Sequence, residues 1–150
     1  MVLVDTTVLI NYLKGNENEK VKLFENVLKR RLPYGISSYT YQEILQGARD
    51  EKEYAGLKKY LSTQVIYFLA EETKTYEEAA RLYYELRRQG VTPRSTIDVL
   101  IALTALKNNL LLLHDDRDFD MFAEKIPDLK IMEVTKDGFV TGTGLSGGVV

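Results

Sequence analysis

The chain has 150 residues and no cysteine, which excludes disulfide staples, thiolate metal sites and a cysteine nucleophile; 20 Lys and Arg against 22 Asp and Glu leave a formal net charge of −2, which excludes no class of partner because an acidic pocket can offset a basic rim. With 45% apolar and 28% charged residues the composition is globular, and the length suits one domain that buries roughly two-thirds of its unfolded surface. No run approaches the ~20 apolar residues of a membrane span, and MVLVDTTVLINYLKG acquires charge too early for a signal peptide, so a soluble cytoplasmic protein is expected.

Met1 to Val4 reads as a short apolar strand. From Thr6, the spacing of Val8, Leu9, Tyr12 and Leu13 predicts a helix that Gly15 ends, and Val21, Phe24, Val27 and Leu28 line a second helix up to Arg31. After Pro33 come a strand over Tyr34 to Ser37 and a helix over Thr40 to Gly47, with Ile44 and Leu45 inward. Tyr54, Leu57, Lys58 and Leu61 mark a further helix before a strand over Val65 to Leu69. Glu72 to Gln89 is long and amphipathic, with Tyr76, Ala79, Ala80, Tyr83 and Leu86 on one face and Gly90 closing it. Ser95 to Asn108 is almost wholly apolar after Asp98, which predicts a buried central helix feeding a strand over Leu110 to Leu113. A short helix over Phe119 to Lys125 and a strand over Lys130 to Val134 follow.

Strands alternating with helices imply an α/β architecture with a central parallel sheet of about five strands and helices on both faces. No repeat and no linker divides residues 1–137, which are expected to form one domain. The tail 138–150 is glycine-rich and aperiodic, and is expected to be flexible or to hug an edge. Gly142, Gly144 and Gly147 match G-x-G-x-x-G by accident, since only three residues follow and no helix can receive a pyrophosphate.

Four acids stand at the ends of successive hydrophobic segments. Asp5 closes VLVD, Glu43 opens the helix of SSYTYQEIL, Asp98 opens that of STIDVLIALTAL, and Asp116 follows NLLLLHD. Each has a bland explanation: Asp5 and Asp116 are good N-caps, while Glu43 after Thr40 and Asp98 after Ser95 fit the capping-box spacing. Capping does not explain why all four fall at strand-to-helix junctions, where a doubly wound sheet keeps its ligand crevice. The two roles are also compatible, because a carboxylate favoured by a helix N-terminus can still offer an oxygen to a metal.

These segments carry a resemblance. VDTTVLINYL, ISSYTYQEILQG, STIDVLIALTAL and LLLHDDRDFD, in this order and spacing from Met1 to about Val134, resemble the signature blocks of PIN-domain ribonucleases, specifically the toxin half of VapBC-type toxin–antitoxin pairs. The resemblance implies a PIN-like three-layer sandwich over 1–137. It also implies a catalytic quartet of Asp5, Glu43, Asp98 and Asp116 around Mg²⁺ or Mn²⁺, with Asp5, Asp98 and Asp116 as ligands. Thr6 or Thr7 would add a hydroxyl, and Asp118 would support the pocket from behind. The sequence departs from the family at His114, where many relatives carry Ser or Thr, and at the additional acid Asp115. Asp115, Asp116 and Asp118 all stand near that position; the Asp-x-Asp-Phe order of Asp116 to Phe119 favours Asp116. The resemblance further implies metal-dependent endoribonuclease activity, a homodimer, and a small antitoxin that puts an Arg or Lys into the acidic pocket.

The residue chemistry agrees independently. Crowded carboxylates repel one another and stay ionised only where a cation compensates, and a hard ion such as Mg²⁺ takes oxygen ligands while retaining waters for phosphodiester hydrolysis. Glu43, which the resemblance places opposite Asp5, is the expected base or orienting group for that water. His114 follows four leucines and reads as a structural histidine bonded to backbone. Lys14, Arg49, Arg87, Arg88, Arg94 and Arg117 lie near the junctions; Arg94 and Arg117, nearest the quartet, are the expected contacts to RNA phosphates. Tyr39 and Tyr41 are candidates for base stacking, though burial is the commoner fate of a Tyr at helical spacing. A haloacid-dehalogenase-like phosphatase needs a second Asp where Thr7 stands, and a receiver-like domain needs an acidic pair where only Asp5 is found. A non-catalytic PIN-like binding scaffold is the remaining alternative.

Overall fold

Successive side chains of a strand point to opposite faces, so a strand buried on both sides must be apolar throughout. In the computed structural model, which describes residues 1–134 and 140–143, this rule organises the whole molecule. β1 (Val2–Val4) sends Val2 and Val4 to one face and Leu3 to the other. β4 (Leu111–Leu113) does the same with Leu111 and Leu113 against Leu112, and β5 (Ile131–Val134) with Met132 against Ile131.

One face is covered by α1 (Thr6–Leu13), α2 (Glu19–Lys29), α3 (Ser38–Gln46) and α4 (Glu51–Leu61), through Val8, Leu9, Phe24, Val27, Ile44 and Leu61. The other is covered by α5 (Thr73–Arg88), α6 (Thr96–Asn108) and α7 (Arg117–Lys125), through Leu86, Ile101, Ala102, Phe119 and Phe122. α6 is the central helix that its apolar sequence predicts, buried at every position from Val99 to Ala105. The three-layer sandwich expected from the sequence is the observed fold.

With β2 (Tyr34–Ser37), β3 (Ile66–Tyr67) and β6 (Val140–Thr143), the strand order is β3-β2-β1-β4-β5-β6. β1 to β5 are parallel, and β6 runs antiparallel on β5, from Ile131 opposite Thr143 to Val134 opposite Val140. The sequence predicts only the five parallel strands and leaves 140–143 in the glycine-rich tail; the rest of that tail lies outside the described residues. The order reverses between β1 and β4. A crevice opens at the carboxyl ends of strands at such a switch point, and Asp5 and Asp116 follow those two strands.

Several boundaries differ from the sequence reading. α3 begins at Ser38 rather than Thr40, because Ser37 is its cap and its Oγ accepts the Thr40 N–H at 3.0 Å. Glu43 therefore sits in the second turn, and its capping-box explanation fails. α7 starts at Arg117, two residues early, because Asp116 caps it. On α5 the inward face holds Thr75, Ala79 and Leu86, while Tyr76 and Ala80 are exposed. β3 spans two residues rather than the predicted five, and it lies unusually close to its neighbour β2. A Cβ on Gly35 would lie 2.6 Å from Cε2 of Tyr67 and 2.8 Å from the Val65 carbonyl oxygen, which accepts the Ile36 N–H. Glycine lets β3 dock this closely.

Gly35→Ala should therefore cost about 1–3 kcal/mol, the usual penalty of overpacking, lowering the melting temperature by roughly 2–4 °C per kcal/mol in a protein of this size. A thermal melt that matches the native chain would disprove the close docking of β3.

Candidate active site

Each sequence-predicted acid is delivered by a junction. Asp5 follows β1, and its backbone N–H bonds to the Leu113 carbonyl at 2.9 Å, so the ends of β1 and β4 are tied where the crevice opens. Its side chain caps α1: Oδ2 accepts from the Thr7 N–H at 3.1 Å and from the Thr7 hydroxyl at 2.6 Å. The Thr7 oxygen in turn accepts the Asp115 N–H at 3.0 Å, joining the two junctions across 108 residues. Asp116 likewise caps α7, with Oδ1 accepting the Asp118 N–H at 2.9 Å. Asp98 lies in the first turn of α6, beyond the cap Ser95, whose Oγ accepts the Ile97 N–H.

Three carboxylates meet. One oxygen each from Asp98, Asp116 and Asp118 lies within 4.8 Å of the others. Asp118, expected only to support the pocket from behind, is thus a member of the cluster itself, and Asp5 is not one of the three. The nearness of Asp5 and Glu43 registers in Asp98, whose carboxyl is pushed up to about 7, by burial first and then by repulsion from Asp5, Asp116, Asp118 and Glu43. Asp5 is 3% exposed, and burial raises its carboxyl to about 6 against the lowering effect of the Thr7 hydrogen bonds. An oxygen-only donor set of clustered acids fits a hard divalent cation.

Glu43 reaches the pocket from the side. Its Oε1 accepts the Thr6 hydroxyl at 2.7 Å, and Thr6 Oγ1 lies 3.1 Å from Thr40 Oγ1, which is 3.3 Å from Ser37 Oγ. Ser37 and Thr40 are fully buried. Sequence reasoning missed this hydroxyl chain, although the Ser37 to Thr40 spacing of an N-cap pair was a usable signal. Thr6 and Thr7 divide the work: one holds Glu43, the other Asp5.

Arg94 is the cation of the site. Its Nε donates to Asp118 Oδ2 at 2.9 Å, and its Nη2 approaches Asp116 Oδ1 at 3.4 Å, while the side chain remains 73% exposed. Arg117, between Asp116 and Asp118 in sequence, is exposed. His114 is buried, its Nδ1 accepting the Asp116 N–H at 3.1 Å and its ring packing on Phe119 at 5.1 Å. Burial holds its pKa below the usual imidazole range. The neutral ring fixes the backbone of Asp116, as a structural histidine would. Nε2 lies 3.2 Å from Asp120 Oδ1 without the geometry of a hydrogen bond. Among the described residues, no helix is long and apolar enough to cross a membrane.

The PIN domain family profile matches residues 2–125 of the chain. Over 124 residues, 82% of this chain and 92% of the relative, the sequence is 27% identical to "Ribonuclease VapC11" of Mycobacterium tuberculosis. Among solved structures, the fold resembles VapBC2 from Rickettsia felis bound to a DNA fragment from their promoter, with a TM-score of 0.68 and 22% identity over 89% of this chain and 98% of that one. It also resembles DNA-bound VapBC from Salmonella typhimurium, with a TM-score of 0.66 and 26% identity over 87% and 97%.

Raised carboxyl pKa values mean that the metal-free fold binds protons more tightly than the unfolded chain does. The contribution of Asp5 and Asp98 to stability is then largest at low pH and is lost as pH climbs from about 4, the ordinary carboxyl value, through about 6 and about 7. Asp98→Asn removes this loss, so in chelator at pH 7.5 (about half a unit above the raised Asp98 value) its melting temperature should exceed that of the native chain by a few degrees, with the gap narrowing as pH falls and closing near about pH 4, the ordinary carboxyl value. A variant less stable than the native chain at both pH values would refute the crowding.

Proposed function

The chain belongs to the PIN domain family, and from that membership and its acidic pocket we propose a Mg²⁺- or Mn²⁺-dependent endoribonuclease that acts as the toxin of a toxin–antitoxin pair. The observation that carries this reading is the meeting of Asp98, Asp116 and Asp118 within 4.8 Å, electrostatically joined to Asp5 and Glu43. Among the described residues, no arrangement for a phosphoryl-aspartate enzyme accompanies it. Where such a phosphatase needs an acid, Thr7 is bonded to both Asp5 and the Asp115 N–H.

Asp98, Asp116 and Asp5 hold the ion in this reading. When bound, it lowers the pKa of a coordinated water and neutralises charge on the phosphoryl group. Glu43 orients the attacking water and takes its proton: Oε1 is held by Thr6, while Oε2 accepts no hydrogen bond among the described residues and is the atom for the proton. Thr7 keeps Asp5 aimed, with a hydroxyl and an N–H on one oxygen so that the carboxylate cannot rotate freely. Arg94 and Arg117 offset the repulsion between acids and RNA phosphates. The same pocket suits an antitoxin that inserts an Arg or Lys among the carboxylates, displacing the ion's charge with its own. Phe68 and Tyr76 are 71% and 56% exposed, large apolar side chains that a homodimer would cover.

Purified chain incubated with mixed RNAs and Mg²⁺ or Mn²⁺ should produce internal cuts that EDTA and Asp5→Asn abolish; cleavage surviving both removes the metal mechanism, and RNA binding without any cleavage favours the scaffold. Thr6→Val should lower the cleavage rate by roughly 10²-fold, at the low end of what general-base catalysis contributes, while leaving Mn²⁺ affinity intact. Equal rates for Thr6→Val and the native chain would remove Glu43 from the chemistry.

A further inference from the structure

The guanidinium of Arg94 spans two of the three clustered carboxylates, through Nε on Asp118 and Nη2 on Asp116. Among the described residues, no other Lys or Arg comes within 4.0 Å of Asp5, Glu43, Asp98, Asp116 or Asp118. The contact is built into the chain path. Tyr83 bonds the Pro93 carbonyl at 3.4 Å, Ser95 caps α6, and the arginine between these anchors emerges directly over the pocket.

This contact divides the oxygens into two sets. Asp118 Oδ2 is taken by Arg94, and Asp116 Oδ1 by both Arg94 and the Asp118 N–H. Asp98 and Asp116 Oδ2 accept no hydrogen bond among the described residues. Two cations cannot share a few ångströms of carboxylate surface without repelling, and oxygens already engaged by a guanidinium are poor ligands. Yet one divalent ion alone leaves an acidic cluster of this size with uncompensated charge.

Resting on the metal-dependent reading above, we propose that Arg94 fills the place of a second cation, so that the pocket binds one divalent ion, through Asp5, Asp98 and Asp116 Oδ2, while the guanidinium neutralises Asp116 and Asp118. Because the side chain stays largely exposed, its outer donors face solvent, where a phosphate would arrive. Arg94 thereby combines what a second metal would do: it screens the acids and offers positive charge to the substrate.

The test is the number of Mn²⁺ ions bound per chain, measured by calorimetry and by the electron paramagnetic resonance of free Mn²⁺, with the full chain at millimolar metal. The native chain and Arg94→Lys should bind one ion, Arg94→Gln two, and Asp98→Asn none. Arg94 is exposed, so its variants should keep the native circular dichroism and fold. Two ions on the native chain, or one on Arg94→Gln, overturns the proposal. No uptake by the native chain, or uptake unaffected by Asp98→Asn, instead removes the metal-dependent reading on which it rests.

Discussion

Carboxylates repel, and this fold gathers Asp5, Glu43, Asp98, Asp116 and Asp118 around one crevice in partial burial. Everything about the site follows from how that repulsion is borne. Burial first, and repulsion added to it, raises the carboxyls of Asp5 and Asp98 to about 6 and about 7, so the metal-free pocket is partly protonated near neutrality. A cation relieves the strain electrostatically, and Arg94 already supplies one positive charge at its rim. The affinity of such a pocket for positive charge is a property of the fold before any substrate arrives, which is why one acidic cluster can suit a metal, an RNA backbone bridged by metal, and a basic side chain from an inhibitor.

The framework that imposes the crowding is apolar. β1, β4 and the first two residues of β5 are buried on both faces, and their alternating side chains lock each strand's register against helices above and below. A slip of one residue would exchange the two faces of Val2, Leu3 and Val4 and carry Asp5 away from Leu113. The Asp5 N–H to Leu113 carbonyl bond and the Thr7 hydroxyl between Asp5 and Asp115 then fasten the two strand ends at the switch point. The stability of the hydrophobic layers is thus what holds the acids together against their repulsion.

Capping a helix and facing the acidic pocket need not compete for a residue. Asp5 and Asp116 each spend one oxygen on the N–H groups of a helix and leave the other for different work. A side chain held by its own helix is also fixed in place, so the same bond that caps α1 or α7 preorganises the pocket. His114 extends this logic one step further back: buried and neutral, it accepts the backbone N–H of Asp116 and leans on Phe119.

Much of this was legible in the residues. Short apolar runs located the five parallel strands and period-3.6 spacing located the helices, because burial on two faces or on one leaves its mark in the order of apolar residues. VLVD and NLLLLHD placed Asp5 and Asp116 at strand ends for the same reason, and STIDVLIALTAL announced both the buried helix and the acid in its first turn. Pattern carries no information on distance across the fold, however. The inclusion of Asp118 in the cluster, the Thr6 to Glu43 bond, the placement of Arg94 on two acids and the glycine-only approach of β2 to β3 all arise from segments far apart in sequence. The pairing of β6 with β5 was hidden because its glycine-rich sequence has no period; backbone hydrogen bonds to a neighbouring strand made it a strand. Sequence alone decided which groups would lie at the edge of the sheet, through hydrophobic periodicity; only tertiary packing decided which of those groups touch.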